Sequence, residues 1–418
     1  MSKKSRITTH LPAGIVDAAF ASLATFAIGL AAVNLLDDTG RGVYAIYFTA
    51  FMLATVLPRH LIFTPAEVDA VSFPEADRVG LIRRTVGLGA GPAAVGAMAV
   101  GLAALVAAPV AETEMIIGFT VTTAITSLLS PIQDHVRKML HIAARSWLAA
   151  VVSIVQFLTA GVALLVMWLV DTPHPWVPFG ALSVANLVSL ASGWALTLRA
   201  HREVADAGRI YLRDLLSRGK WLVAQAVVPS AAGFVAAALI THLAGADALG
   251  YAESARVVSQ PILVFATGLT AVLAPRTMEA AMKRDLPAAR RASSVYLRAV
   301  SIAGAAYLVI AGWNWAVNPM RYLVPSAYEI SGLVALAIIA NIAGAATYLQ
   351  INELLGARRE PTLARLAWAL SPILLVGAAT ASATGAFARA IGRVGESTVR
   401  FLVQRRVTGA LYDSATRR

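Results

Sequence analysis

The chain has 418 residues, of which 58% are hydrophobic and only 14% are charged. Soluble domains carry roughly 25% charged residues to coat their surface, so this composition excludes a soluble globular protein and predicts one whose outer solvent is lipid. The absence of cysteine excludes disulfides and thiolate metal sites. The net charge of +12 raises the question of a nucleic-acid partner.

Apolar stretches follow one another along the chain, each near the length of about 20 residues that a helix needs to cross a bilayer. Turn residues or charges separate them. The sequence therefore predicts an all-α, polytopic integral membrane protein of about twelve transmembrane helices. In chain order the predicted spans cover residues 11–36, 42–64, 85–108, 115–135, 146–170, 176–198, 221–243, 248–275, 292–318, 330–355, 363–384 and 386–407.

Basic residues are concentrated in alternate loops. Of the 35 Lys and Arg residues, 30 fall in the two tails and in the loops after the even-numbered spans, whereas the opposite loops carry mostly acids. This positive-inside pattern predicts a multi-pass protein of the plasma membrane with cytoplasmic N- and C-termini. The basic excess then indicates contact with anionic membrane lipids and not with nucleic acid.

The two halves of the sequence are similar. Residues 35–45 (LLDDTGRGVYA) follow the first span, and residues 243–252 (LAGADALGYA) follow the seventh. The span after each hairpin has a proline near its inner end, Pro58 and Pro275. This order predicts two six-helix bundles, residues 1–200 and 221–418, related as a parallel repeat. Residues 201–220 are predicted to form a cytoplasmic amphipathic linker.

Both hairpins, with the proline that follows, resemble the polysaccharide exporters of the multidrug/oligosaccharidyl-lipid/polysaccharide (MOP) superfamily. That group includes the O-antigen and teichoic-acid flippases, and the resemblance covers nearly the whole chain through short motifs. It implies a V-shaped fold of two bundles that flips an undecaprenyl-diphosphate-linked oligosaccharide by alternating access. It also implies a lipid-linked glycan as substrate and a glycan polymerase or glycosyltransferase as a candidate partner.

Charged residues inside predicted spans are the candidates for function, because charge is costly there. Arg256 lies below the outer interface, where a guanidinium suits a diphosphate; a structural pair with Glu253 is the alternative. Arg59 and Arg276 stand near the inner mouth, where a diphosphate would first arrive, and they equally fit positive-inside anchoring. Asp17 and Glu253 are the candidates for coupling an ion, and Asp17 could instead be the partner of a basic neighbour.

The last predicted span carries a regular charge pattern. Arg389, Arg393, Glu396 and Arg400 recur at spacings of four, three and four, which puts them on one face of a helix. The segment either crosses the membrane with this face turned to a polar cavity or lies flat at the interface. We add Arg389 and Arg393 to the candidate substrate-binding residues.

Signals for catalysis are missing from the sequence. It has no P-loop, no nucleophile elbow and no histidine pair at metal-ligand spacing, so we expect no enzyme, cofactor or metal. His135 and His141, close to Asp134, are expected at the surface of an inner loop. Three functions stay open: a lipid-linked glycan flippase with a cationic cavity, a multidrug/cation antiporter with an acid-centred cavity, and a non-transporting component of a glycan assembly complex.

Overall fold

A computed structural model describes residues 3–36, 38–75, 77–108, 111–203, 210–244, 246–322 and 331–416 of the chain. Within these ranges all regular secondary structure is helical. Helices satisfy their own backbone hydrogen bonds, which a chain surrounded by lipid must do. The prediction of an all-α protein is confirmed.

Contacts divide the chain into two compact units, Met1–Val223 and Ala224–Arg418. A π-helix, Arg59–Phe63, follows Pro58 in the first unit, and a short 3₁₀ turn, His174–Trp176, precedes α8. The α-helices of the first unit are α1 (Lys3–Leu35), α2 (Asp38–Pro58), α3 (Thr64–Ala70), α4 (Leu81–Ala99), α5 (Leu102–Ala107), α6 (Thr113–Ile142), α7 (Ser146–Leu169) and α8 (Val177–Glu203).

The second unit begins inside a long helix, α9 (Leu212–Ala244). A 3₁₀ turn, Pro319–Tyr322, follows α11. The further helices of this unit are α10 (Ala246–Met282), α11 (Leu286–Ala311), α12 (Leu333–Ala345), α13 (Tyr348–Gly356), α14 (Glu360–Ala379), α15 (Ala381–Thr384) and α16 (Phe387–Thr416).

Nine helical stretches in the described part of the chain are long and apolar enough to cross a membrane. They are α1, α4 with α5, α6, α7 and α8 in the first unit, and α10, α11, α12 with α13, and α14 in the second. With α2, α9 and α16 each unit has six helices of membrane length. Large apolar side chains face outward, and Met98, Leu105 and Ile302 are each more than 70% exposed. Lipid is the solvent that fits such a surface.

Several helices extend beyond their predicted bounds into charged sequence, and α6 and α9 are the two that bear on the predicted sites and linker. α6 extends seven residues past the predicted end at residue 135, to Ile142. α9 starts at Leu212, so residues 212–220 of the predicted linker are its first turns and not a separate helix. Their contacts are with the first unit: Arg218 pairs with Asp69 at 2.6 Å, and the backbone carbonyl of Ile210 accepts a bond from Arg84.

Four hairpins share one turn geometry. After α6, α7, α10 and α13 a single residue adopts the left-handed conformation, with φ of 56°, 54°, 53° and 55° at Ala144, Asp171, Arg284 and Arg358. In each turn the next N–H reaches back five residues to a helix carbonyl, as Asp285 does to Ala280 at 2.8 Å. This is the Schellman motif, in which glycine is the usual left-handed residue.

Candidate substrate-binding cavity

The second unit contains a partly open cavity of about 330 Å³ between α10, α12, α13 and α16, with charged, polar and apolar lining residues. This is within the range of small-molecule pockets in proteins. Among the residues that the structure describes, its charged lining consists of four arginines and one glutamate, with a summed formal charge of +3. The charged lining residues are Arg256, Arg389, Arg393, Glu396 and Arg400.

One face of α16 supplies four of these five charges. Its residues follow the spacings of four, three and four noted in the sequence, and the structure turns this face to the cavity. Glu396 is buried and pairs with two arginines, Arg393 at 3.6 Å and Arg400, so its carboxylate is partly neutralised. The charged face is therefore turned to a cavity, as the first of the two arrangements predicts, and the crossing of the membrane by this segment stays a prediction.

An adjacent face of α16 fixes how closely the helix approaches α14. A Cβ atom added to Gly392 would lie 3.0 Å from the carbonyl oxygen of Leu374, and one added to Gly377 would overlap Gly392. Small residues permit such close crossings of membrane helices. The glycine contact thus sets the position of the arginines beside it.

Neutral polar groups complete the cavity. Asn341 of α12 donates from Nδ2 to the hydroxyl of Ser259 at 2.8 Å and to its carbonyl at 3.0 Å. Gln260, Ser397 and Tyr348 also line the space. The cavity can therefore offer several hydrogen bonds as well as positive charge.

Three of the five predicted substrate-binding arginines, Arg256, Arg389 and Arg393, are brought together in this cavity. Arg276 is not among its lining residues; it lies on α10 twenty residues after Arg256, roughly 30 Å along the helix. The side chain of Glu253 lies outside the described part of the structure. The sequence pattern contained Arg400, which we did not count as a candidate although its spacing from Glu396 indicated the same face.

Arg59 and Asp17 belong to a second charged cluster, inside the first unit. Asp17 is only 2% exposed and accepts hydrogen bonds from Ser153 Oγ at 2.5 Å, His141 Nε2 at 2.9 Å and Arg137 Nη1 at 3.3 Å. Arg137 also donates to Asp134 at 2.5 Å. The arrangement that the sequence left as an alternative, Asp17 as partner of a basic residue, is therefore present in the structure.

Asp134 holds the other cations of this cluster. Arg59 donates to its carboxylate from the π-helix, and Lys138 Nζ lies 3.4 Å away on α6. Roles in substrate binding for Arg59 and in ion coupling for Asp17 remain predictions. The geometry shows that both side chains have partners of opposite charge.

The expectation of surface histidines is wrong. His135 and His141 are 1% and 5% exposed, because α6 continues through them into the bundle. His135 lies between Glu67, 2.9 Å from Nδ1, and Thr85, 2.8 Å from Nε2. Both histidines therefore connect helices of the first unit.

No protein-family model and no curated protein matches the sequence. Solved structures match its fold. An outward-facing multidrug resistance MATE transporter of the MOP superfamily aligns with a TM-score of 0.75 at 15% identity, over 98% of this chain and 97% of the other. A MATE protein in a straight conformation aligns with a TM-score of 0.75 at 15% identity, over 99% and 98% of the two chains. The chain has the MATE fold.

This likeness confirms the predicted architecture of two six-helix bundles. A third solved structure is relevant to the charge of the binding pocket. It is a MOP superfamily transporter from Pyrococcus furiosus, with a TM-score of 0.75 and 16% identity over 98% of this chain and 97% of the other. Its binding pocket is described as having reverse polarity, which suggests a different function for that protein.

Proposed function

We propose that the protein is a membrane transporter whose arginine cavity binds the anionic group of an amphiphilic substrate. The observation that supports this proposal is the charge of the described cavity lining, where four arginines stand against one paired glutamate. A cation drawn into this space would meet a net positive field. An anion would meet guanidinium groups, and its hydrogen bonds to them would be charge-assisted.

A diphosphate is the anion that we favour. Guanidinium groups bind phosphate oxygens in pairs, which gives both affinity and orientation. The cavity volume of about 330 Å³ suits a head group and not a long glycan. A lipid-linked oligosaccharide, with its prenyl chain left in the bilayer and its sugars outside the cavity, is the substrate we propose within this class.

A multidrug/cation antiporter is the second candidate, and the solved neighbours favour it. One of them is a multidrug resistance transporter of the same fold. That function needs an accessible acid in the substrate site. Glu396, the acid among the described lining residues, already pairs with Arg393 and Arg400.

Location and partners follow from the charge pattern and the resemblance. We propose a plasma-membrane protein with cytoplasmic termini, because 30 of 35 basic residues lie on one predicted side. Contact with a glycan polymerase or glycosyltransferase is proposed only as a consequence of a lipid-linked glycan substrate.

Reconstituted vesicles can separate the two functions. We expect the protein to move a fluorescent prenyl-diphosphate sugar lipid between leaflets, and Arg256→Gln with Arg393→Gln to slow this by at least about tenfold, since each charge-assisted bond contributes about 1.5–3 kcal/mol. The matched control is Arg290→Gln with Arg291→Gln, two exposed arginines at the start of α11, which should transport normally. Uptake of a cationic dye that depends on Glu396 and is indifferent to Arg256 would overturn the proposal in favour of the antiporter.

A further inference from the structure

A second pocket lies in the same unit, at the opposite end of α10 from Ala246 and away from the arginine cavity. It has a volume of about 320 Å³ and lies between the turns that end α10 and α13 and the late part of α16. Three arginines line it: Arg284, Arg358 and Arg359. All three side chains are exposed and lie on the side that the positive-inside pattern predicts to be cytoplasmic.

Close packing of two helices brings these arginines together. A Cβ atom added to Gly356 would lie 2.5 Å from the carbonyl oxygen of Met278 and 2.6 Å from its Cα. The backbone of α13 at its last residue is therefore nearly in contact with that of α10 one turn before α10 ends. The two following turns, with Arg284 in one and Arg358 in the other, are held side by side.

Two acids near this pocket have known partners. Glu353 accepts a hydrogen bond from Tyr412 Oη at 2.5 Å, beneath the pocket. Burial, together with the Glu353 carboxylate, raises the pKa of Tyr412, so its hydroxyl keeps the donated proton. Asp285 accepts from the backbone N–H of Ala288 at 3.0 Å, which caps α11. These two bonds fix the residues beneath and beside the pocket.

The two turns that line the pocket have the same backbone conformation. Arg284 and Arg358 are the left-handed residues of their Schellman turns, with φ of 53° and 55°. The left-handed conformation costs a non-glycine residue roughly 1 kcal/mol relative to glycine. A variant at either position must therefore use a residue that tolerates this conformation.

We propose that this pocket binds the phosphate group of an anionic ligand on the cytoplasmic side of the protein. Three guanidinium groups around one space can hold the oxygens of a phosphate in bidentate pairs. Two sources share this chemistry: the head group of an anionic phospholipid, for which basic pockets between membrane helices are suited, and a soluble polyphosphate. The site is separate from the transport cavity and does not depend on the substrate proposed above.

Binding to the purified full-length protein tests the proposal. The variant Arg284→Asn/Arg358→Asn/Arg359→Gln removes the three charges, and asparagine tolerates the left-handed conformation at the first two positions. The control variant Arg290→Gln/Arg291→Gln/Arg365→Gln removes three exposed arginines elsewhere in the unit. Ligand affinity is measured by thermal stabilisation with inorganic pyrophosphate in one arm and with phosphatidylglycerol in mixed micelles in the other.

We expect the pocket variant to weaken binding at least about tenfold, as the loss of charge-assisted bonds predicts, while the control changes it by less than about twofold. If the pocket variant binds phosphatidylglycerol more weakly, the ligand is a lipid head group. If it binds pyrophosphate more weakly, the ligand is a soluble anion. Equal weakening by both variants would show only a general effect of surface charge and overturn the proposal. Unchanged ligand binding by a pocket variant whose unfolding temperature equals that of the wild type would also overturn the proposal.

Discussion

Replacing Asp17 by asparagine tests whether the charged cluster of the first unit is a structural element. The carboxylate accepts from three donors, Ser153, His141 and Arg137, in a site that is 2% exposed. Removing one partner of a buried ion pair typically costs about 3–5 kcal/mol. Arg137 keeps its second carboxylate, Asp134, at 2.5 Å, so we expect the lower end of that range, about 3 kcal/mol.

The free energy of unfolding can be measured by SDS titration of the purified protein in mixed micelles. Glu279→Gln is the control, because it removes an exposed pair with Lys283 at 2.5 Å and should cost less than about 0.5 kcal/mol. In the double variant Asp17→Asn/Arg137→Gln, the loss in free energy of unfolding should be smaller than the sum of the two single losses by about 1–3 kcal/mol. An Asp17→Asn protein as stable as wild type would refute this reasoning, and if it also failed to transport, an ion-coupling role would be the better account.

Two further changes test packing. Gly96→Ala should destabilise the protein by about 1–3 kcal/mol, because the new Cβ would lie 2.6 Å from the carbonyl oxygen of Ala54 on α2. The control is Gly87→Ala on the same helix, where a new Cβ meets no atom within 4 Å. This variant should be neutral or stabilising in the same titration. Asn341→Ala should cost about 1 kcal/mol through the lost bond to Ser259. It should also lower affinity for the anionic substrate, and unchanged binding would mean that the amide serves only the helix contact.

The arginine cavity illustrates what the sequence could predict. Arg389, Arg393, Glu396 and Arg400 are close in sequence, so helical geometry alone placed them on one face. Arg256 joins them from α10 because a charge within an apolar run has few other stable positions. The spacing of charged residues along α16 was therefore sufficient to predict that they share one face of the helix.

Contacts between distant residues could not be derived in this way. Arg137 and Asp17 are 120 residues apart, and no periodicity relates the two. Hydropathy also ended the fourth span too early, because Asp134, Arg137 and His141 look like loop residues until their partners are known. Their burial in α6 depends on pairing with α1 and the π-helix, which is a property of the tertiary structure.

The polar face of α16 has a consequence for how the protein is made. Each arginine near the middle of an isolated helix opposes insertion from the translocon by about 2.5–3.5 kcal/mol. In the folded unit this face is turned toward α10 and α12, which precede α16 along the chain and have therefore been synthesised before it emerges. We expect α16 to enter the bilayer only in company with those helices, so that biogenesis of the second bundle ends with a cooperative step in which the cavity and its charges are formed together.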